Sequence, residues 1–195
     1  MSWLAAVLFI GIAVALLRGG RLGNLADIHL RAWWLLFLGF GMQAITNFFP
    51  GNADWARPVA VVLILLSYLA LIALVWLNRE HPGMWLAGVG ILMNFSVIAA
   101  NGGMPVMREA AALAGSTGEV SFEDHYKHLV LDEGARLAFL ADVIPVALLN
   151  QVISLGDVFL AVGLAQFLED QLRRPVRWFK HGVTGEAGSA VRTRR

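Results

Sequence analysis

Uncharged apolar runs constrain this chain more than any other feature. Residues 3–17, WLAAVLFIGIAVALL, contain no charged side chain, and neither do residues 58–78, PVAVVLILLSYLALIALVWLN. A helix of roughly 20 residues crosses the hydrocarbon core of a bilayer, which is about 30 Å thick. Because a helix satisfies its own backbone hydrogen bonds in lipid, both runs are predicted to be transmembrane helices. The chain is accordingly 58% hydrophobic and only 15% charged, against about 25% charged in ordinary soluble domains.

Five hydrophobic segments divide the chain. They cover residues 3–17, 32–49, 58–78, 84–100 and 158–168. Tryptophans lie at or near the segment ends, where their amphipathic rings favour the headgroup layer of a membrane. These are Trp3, Trp33, Trp34, Trp55, Trp76, Trp85 and Trp178. The first segment is also compatible with a signal peptide, but no basic residue precedes it and no cleavage site follows, so a retained span is preferred.

Basic residues predict the orientation of these segments. Arg18, Arg21 and Arg31 lie between the first two segments, Arg79 lies between the third and fourth, and further basic residues follow residue 172. Because Lys and Arg concentrate on the cytoplasmic side of membrane proteins, these positions are assigned to the cytoplasm. The N-terminus is then expected outside and the C-terminus inside.

The long region between the fourth and last segments must begin and end on the outer side under this assignment. It contains a short helix candidate, MREAAALAG, and residues 135–154, an apolar stretch interrupted by Arg136, Asp142, Pro145 and Asn150. One crossing there would reverse the last span and place the basic tail outside. Residues 135–154 are therefore predicted to form a re-entrant or interfacial helical element.

The resulting prediction is an all-α, polytopic transmembrane helix bundle of about five spans plus that element, over residues 1–172. Residues 173–195 are expected to form a basic, disordered cytoplasmic tail, with membrane lipid as its partner. Gly88 and Gly90 predict close packing of the fourth span against a neighbouring helix. The chain has no cysteine, so disulfides and thiolate chemistry are excluded.

Two aspartates in apolar surroundings are the candidate functional residues. Asp142 interrupts residues 135–154, Asp157 begins the last span, and Asn101 followed by Gly102 and Gly103 ends the fourth span. The assigned topology brings all of them to the outer side, where they are predicted to line one ligand-binding pocket. Two close carboxyls share a proton, since each charge raises the pKa of the other, and Asp142 and Asp157 are therefore also candidate catalytic residues.

Structural explanations exist for the same residues. Ser154 or Asp157 can cap the last helix, Asp142 can pair with Arg136 or with a polar residue of another span, and the NGG sequence can simply end a helix. Gln43 and Asn94 are best explained as interhelical hydrogen-bonding residues.

Other chemistry is not expected from this sequence. His125 and His128 lie near Asp124 and Asp132, but their spacing matches no specific metal motif, so a solvated loop is preferred and no metal is expected. Phosphate-binding, dinucleotide-binding and nucleophile-elbow motifs are missing, so no cofactor is expected. The basic tail fits an anionic lipid surface better than nucleic acid.

The motifs RGGRLGNLADIHLRAWWLL, NGGMPV, FLADVIP and SLGDVFLAVGLAQFL together resemble an uncharacterised bacterial family of small multi-pass membrane proteins, a domain of unknown function. The resemblance covers about residues 1–172. It implies an integral protein of the bacterial cytoplasmic membrane and no particular activity.

A second, partial resemblance concerns residues 148–170. This stretch is similar to the end of the lipoprotein signal peptidases, in which two aspartates near the outer face hydrolyse a peptide bond. Asp157 would match the second of these and Asn150 the preceding asparagine, with more residues between them than in that family. The fourth span has no aspartate at the family's first position, so Asp142 would have to supply it.

Three functions follow from these observations. The first is binding or transport of a small molecule or lipid at the outward-facing pocket. The second is intramembrane hydrolysis by the two aspartates. The third is a structural role in a larger membrane complex, with the polar residues only joining helices.

Overall fold

The computed structural model describes residues 2–50, 53–115 and 126–174, with only the backbone of residues 2–4. The described chain is mainly helical. Its α-helices are α1 (Ser2–Leu17), α2 (Trp34–Thr46), α3 (Ala56–Leu77), α4 (Met84–Asn101), α5 (Arg108–Leu113) and α6 (Leu155–Arg173), with a 3-10 helix at Leu22–Asp27. The five hydrophobic segments are confirmed as helices α1 to α4 and α6, and the short helix predicted in MREAAALAG is α5.

Successive long helices alternate in direction. The backbone N–H of Arg21 donates to the carbonyl of Leu172 at 2.9 Å, which joins the C-terminal ends of α1 and α6. The buried Asn78, after α3, accepts from the N–H of Arg31 at 2.7 Å and donates to its carbonyl at 2.9 Å. We call this side of the bundle the arginine end. It carries Arg18, Arg21, Arg31, Arg79, Arg173 and Arg174.

Helices α4 and α6 pack with their backbones in close approach. A β-carbon added to Gly90 would collide with the carbonyl of Gly156 and would lie 2.6 Å from the N of Leu160. The predicted close packing is therefore confirmed for Gly90, and α6 is the neighbour. Gly88 faces α3 instead, where an added β-carbon would lie 3.0 Å from a methyl of Val75.

The opposite end of the bundle is covered by residues 104–115 and 126–154, which we call the cap. Strand β1 (Met104–Val106) pairs in parallel with β2 (His128–Val130). Strands β3 (Ile144–Val146) and β4 (Gln151–Ile153) form an antiparallel hairpin. Buried side chains of α3, α4 and the cap form a common core, made of Ile64, Tyr68, Ile91, Val97, Ile98, Met104 and Leu140.

The prediction of a helical element at residues 135–154 is wrong. The segment contains two short 3-10 turns and the β3–β4 hairpin. Pro145 has no N–H for a helical hydrogen bond, and Asn150 adopts a φ of 50° in the left-handed region, which asparagine tolerates better than most residues. No continuous helix runs through this segment, and its location relative to a bilayer stays a prediction.

The count of five spans is not supported. Within the described chain, two helices are long and apolar enough to cross a membrane, Ala56–Leu77 and Met84–Asn101. Helix α1 has 16 residues and α2 has 13, or about 24 Å and 20 Å at 1.5 Å per residue. Helix α6 has 19 residues, but Asp157, Glu169, Asp170 and Arg173 lie within it.

Tryptophans project outward from this structure. Trp33, Trp34, Trp55, Trp76 and Trp85 are each between 54% and 61% exposed. All five lie next to or within the ends of α2, α3 and α4, as predicted. Trp178 and the other residues from 175 onward, including most of the predicted tail, lie outside the described residues.

Candidate functional site

The start of α6 carries one half of the polar site at the cap end. Ser154 precedes the helix and accepts from the backbone N–H of Asp157 at 3.0 Å, while Asp157 Oδ2 accepts from the N–H of Ser154 at 3.1 Å. This reciprocal capping box satisfies two donors that the first helical turn leaves open. Asn94 of α4 completes the arrangement: its Nδ2 donates to Asp157 Oδ1 at 2.8 Å, and its Oδ1 accepts from Ser154 Oγ at 2.9 Å.

Asp142 supplies the other half from the cap. Its N–H donates to the carbonyl of Pro105 at 2.9 Å and its carbonyl accepts from the N–H of Met107 at 2.9 Å. These bonds place Asp142 beside β1, on the edge opposite β2, with Val106 as its bridge partner. The residue is 5% exposed, so its carboxyl group lies inside the protein.

The side chain of Asp142 is incompletely satisfied. Its Oδ2 lies 3.9 Å from His128 Nε2, and its Oδ1 has no hydrogen-bond partner among the described residues. A buried polar atom without a partner destabilises a fold by about 1–3 kcal/mol. The side chain nearest to the Asp142 carboxyl is thus the imidazole of His128 on β2, whereas the sequence indicates Arg136.

Lys127 and Tyr68 join these residues in one cluster. The Lys127 ammonium and the Tyr68 hydroxyl of α3 lie close enough for each to influence the protonation of the other. Both side chains interact electrostatically with Asp142 and with Asp157. The parallel pairing of β1 with β2 brings these residues together, because it positions residues 126–130 against the start of α3 and the end of α4. We call Tyr68, Lys127, His128, Asp142 and Asp157 the acid–lysine cluster.

The surroundings shift the protonation of Asp142. Burial, and after it the negative charge of Asp157, raise the pKa of the Asp142 carboxyl from 3.8 to about 8, against the opposing effect of Lys127. The nearby Tyr68 oxygen, and then the charges of Asp157 and Asp142, raise the pKa of Lys127 against the effect of burial. Near neutral pH, Asp142 is therefore mostly protonated and Lys127 is charged.

Asn101, Gly102 and Gly103 join the end of α4 to the cap, and their contacts are mainly structural. Asn101 accepts from the N–H of Arg136 and donates to its carbonyl, both at 2.8 Å, and so fastens the cap to the end of α4. Gly102 ends α4 with a φ of 70°, which glycine adopts without steric strain. At Gly103 an added β-carbon would lie 2.8 Å from Leu129 of β2, so a larger residue would push the two strands apart.

Sequence reasoning missed two residues of the cluster. Tyr68 follows Ser67 as a polar interruption of the long apolar α3, and this interruption was the available signal. Lys127 lies among the polar residues that follow position 115, and nothing in the sequence indicates that it turns inward. The sequence indicates His128 only as a possible metal ligand together with His125, which lies outside the described residues.

Tyr126 anchors the segment that carries Lys127. Its hydroxyl donates to the carbonyl of Pro50 at 2.8 Å, and its ring lies 6.3 Å from that of Phe49, centroid to centroid. The residue is buried against Ala56 and Ala60 of α3. The α2–α3 connection therefore holds the start of β2 in place over the bundle.

The two aspartates differ in their hydrogen bonding. Asp157 is held on both oxygens by donors of the protein, whereas Asp142 presents one open oxygen. Asn150, the residue matched to the signal-peptidase asparagine, lies in the β3–β4 connection and not at the start of α6.

Comparison with known proteins supplies a family and no activity. A family of unknown function, DUF5317, matches residues 27–168. The chain is also 27% identical over 165 residues to an uncharacterised protein of Thermotoga maritima, an alignment that covers 83% of this chain and 87% of that protein. No solved structure matches the chain. Because the family match extends over most of the chain, the protein belongs to DUF5317.

Proposed function

We propose that this protein is a multi-pass protein of the bacterial cytoplasmic membrane that binds a small polar ligand where the cap meets the helix bundle. Asp142 is the group that contacts the ligand. The acid–lysine cluster forms the polar wall of the site, and Asn101, Gly102 and Gly103 hold the cap against it.

The open Oδ1 of Asp142 carries this proposal. The atom is buried and has no partner among the described residues, although the surrounding side chains Asn94, Ser154 and Asp157 are fully connected to each other. Buried polar groups in proteins are nearly always hydrogen-bonded, and an exception calls for an explanation. A ligand that bonds to Oδ1 would remove the energetic penalty and provide that explanation.

The outer surface of the bundle supports the membrane part of the proposal. Large apolar side chains face outward along the helices, among them Phe9, Phe37, Val62, Leu66 and Leu92. A soluble monomer rarely exposes contiguous apolar patches larger than a few hundred Å². Lipid contact accounts for such a surface, and the outward tryptophans near the helix ends fit the two headgroup layers.

The geometry favours binding over the two alternatives. Hydrolysis by an aspartate pair requires both carboxyls to reach one water molecule, but Asp157 is locked into the capping box and the bond from Asn94. A purely structural role for Asp142 would be better served by an apolar residue, because an apolar side chain is easier to bury than a carboxyl group. Neither alternative accounts for the open Oδ1.

Ligand-dependent stabilisation of the purified protein tests the proposal. The melting temperature in detergent is measured with a panel of small amines, amides, carboxylates and sugars for the wild type, Asp142→Asn and Asp54→Asn. Asp54 is exposed in the turn before α3 and serves as the matched control. We expect at least one compound class to stabilise the wild type and Asp54→Asn, but not Asp142→Asn. A panel that acts equally on all three proteins, or on none, would refute the proposal.

A further inference from the structure

The acid–lysine cluster holds unequal numbers of acids and fixed cations. Two carboxyl groups, Asp142 and Asp157, interact with one ammonium group, Lys127. When both carboxyls are ionised, the three groups together carry one unbalanced negative charge in a buried place. A buried unbalanced charge is strongly unfavourable, so the protein must neutralise it with a proton or another cation.

We infer, resting on the binding function proposed above, that the ligand carries a protonated amine, which enters the cluster in exchange for the proton of Asp142. The amine donates an N–H to the open Oδ1, and the displaced proton passes to solvent. The net charge of the cluster is then the same before and after binding.

An ammonium group fits the open atom better than the other ligand classes. One oxygen with free lone pairs accepts a directional N–H donor, whereas Ca²⁺ takes six to eight oxygen ligands and Mg²⁺ six. An anionic ligand would have to approach Lys127, which already interacts with Tyr68 and with both aspartates. It would also add negative charge beside Asp157.

The exchange has a defined pH dependence. Asp142 must lose its proton before a cation binds, and its pKa is raised by burial and by Asp157 to about 8. Apparent affinity for the cation should therefore increase about tenfold per pH unit below that pKa and level off above it. The other groups facing Asp142 are Lys127 just before β2, His128 on β2, Tyr68 on α3 and Asp157 on α6. A positive charge on His128, at 3.9 Å from Oδ2, would oppose the cation.

Methylammonium chloride is the cation probe, acetamide the neutral probe and potassium acetate the anion probe. The full chain in detergent is examined by thermal melting and by proton release with a pH indicator in weak buffer, from about pH 6 to about pH 9. We expect methylammonium to stabilise the wild type increasingly with pH and to release up to about one proton per bound molecule near neutral pH, where the Asp142 carboxyl starts mostly protonated. Asp142→Asn should show neither effect.

A second variant guards against misfolding of Asp142→Asn. Lys127→Met removes the cation that lowers the pKa of Asp142, so the increase of methylammonium affinity with pH should extend to higher pH than in the wild type. If acetamide or acetate stabilises the wild type through Asp142 and methylammonium does not, binding at this site stands and the amine inference fails. If methylammonium acts equally on the wild type and Asp142→Asn without proton release, the amine inference is also wrong. If no probe class distinguishes the wild type from Asp142→Asn, both the amine inference and the proposed function fail.

Discussion

Asn94 in the middle of α4 donates its side-chain amide to the carboxylate of Asp157 at the start of α6, with 2.8 Å between nitrogen and oxygen. The same amide accepts from Ser154, so one buried side chain joins two helices and completes the helix cap. Removal of Asn94 therefore affects both the packing of α4 against α6 and the placement of Asp157.

The first prediction concerns Asn94→Leu. The substitution keeps the number and branching of the side-chain heavy atoms but leaves Asp157 Oδ1 and the Ser154 hydroxyl without their partner. A loss of about 1–3 kcal/mol in the free energy of unfolding is expected, because buried groups lose a hydrogen bond. Unfolding in detergent by a denaturing surfactant provides the measurement. Asn47→Ala, at an exposed residue after α2, is the control and should change little. Equal stability of both variants would show that the Asn94 bonds contribute nothing.

The sequence predicts the helical part of this site well. The hydrophobic segments locate α3, α4 and α6, the order Ser154-Leu-Gly-Asp157 indicates a cap, and Asn94 inside an apolar run indicates an interhelical bond. Each of these inferences uses residues within one turn or one helix. Local periodicity and capping chemistry are sufficient for them.

The cap could not be predicted in the same way. The surroundings of Asp142 depend on β1, which pairs with a strand more than twenty residues later, and on a backbone bridge between Val106 and Asp142. Three-residue strands carry too little alternation to be recognised. The position of Lys127 follows from this pairing and from the Tyr126 bond to Pro50, and neither leaves a pattern in the sequence.

The second prediction concerns the contact between α4 and α6. Gly90→Ala should strongly destabilise the fold, because the new methyl group would collide with the backbone of Gly156 and Leu160. Gly41→Ala is the matched control: no atom lies within 4 Å of its added β-carbon, and alanine is favoured over glycine within a helix by about 1 kcal/mol. Melting temperatures should fall for the first variant and stay or rise for the second. A tolerated Gly90→Ala would contradict the close approach of the two backbones.

Gly88 gives a third, graded prediction. An added β-carbon would meet a methyl of Val75 at 3.0 Å, and a side-chain methyl can shift where a backbone atom cannot. Gly88→Ala should therefore destabilise less than Gly90→Ala, whereas Gly88→Leu should destabilise clearly because the whole side chain must displace Val75. The three melting temperatures, compared with the wild type, decide the order. Gly88→Ala below Gly90→Ala would reverse the assignment of these two helix faces.

The fourth prediction concerns the pH dependence of stability. The pKa of Asp142 is raised by burial, and next by Asp157, from 3.8 in the unfolded chain to about 8 in the folded protein. Between these values the folded protein binds a proton that the unfolded chain has released, so the free energy of unfolding falls as pH rises. The slope of this decrease approaches about 1.4 kcal/mol per pH unit. The slope disappears above the pKa of the folded protein, where both states have lost the proton.

The Asp142→Asn variant isolates this contribution, because an amide does not titrate and other groups cancel in the comparison. Its melting temperature should rise relative to the wild type between about pH 5 and about pH 8. A constant difference across this interval would mean that Asp142 has the same proton affinity in both states.

The fifth prediction is the orientation of the chain, with the arginine end in the cytoplasm and the N-terminus and cap outside. The distribution of charge motivates it: six arginines lie at the arginine end, and the basic residues 177, 180, 192, 194 and 195 follow it in sequence. Because the natural chain has no cysteine, single cysteines can be placed without background. Ser2→Cys and Asp54→Cys should react with a membrane-impermeant maleimide in intact spheroplasts, whereas Ser189→Cys should react only after lysis. The opposite pattern would place the acid–lysine cluster on the cytoplasmic side, and labelling of all three sites in intact spheroplasts would contradict a protein that crosses the membrane with its ends on opposite sides.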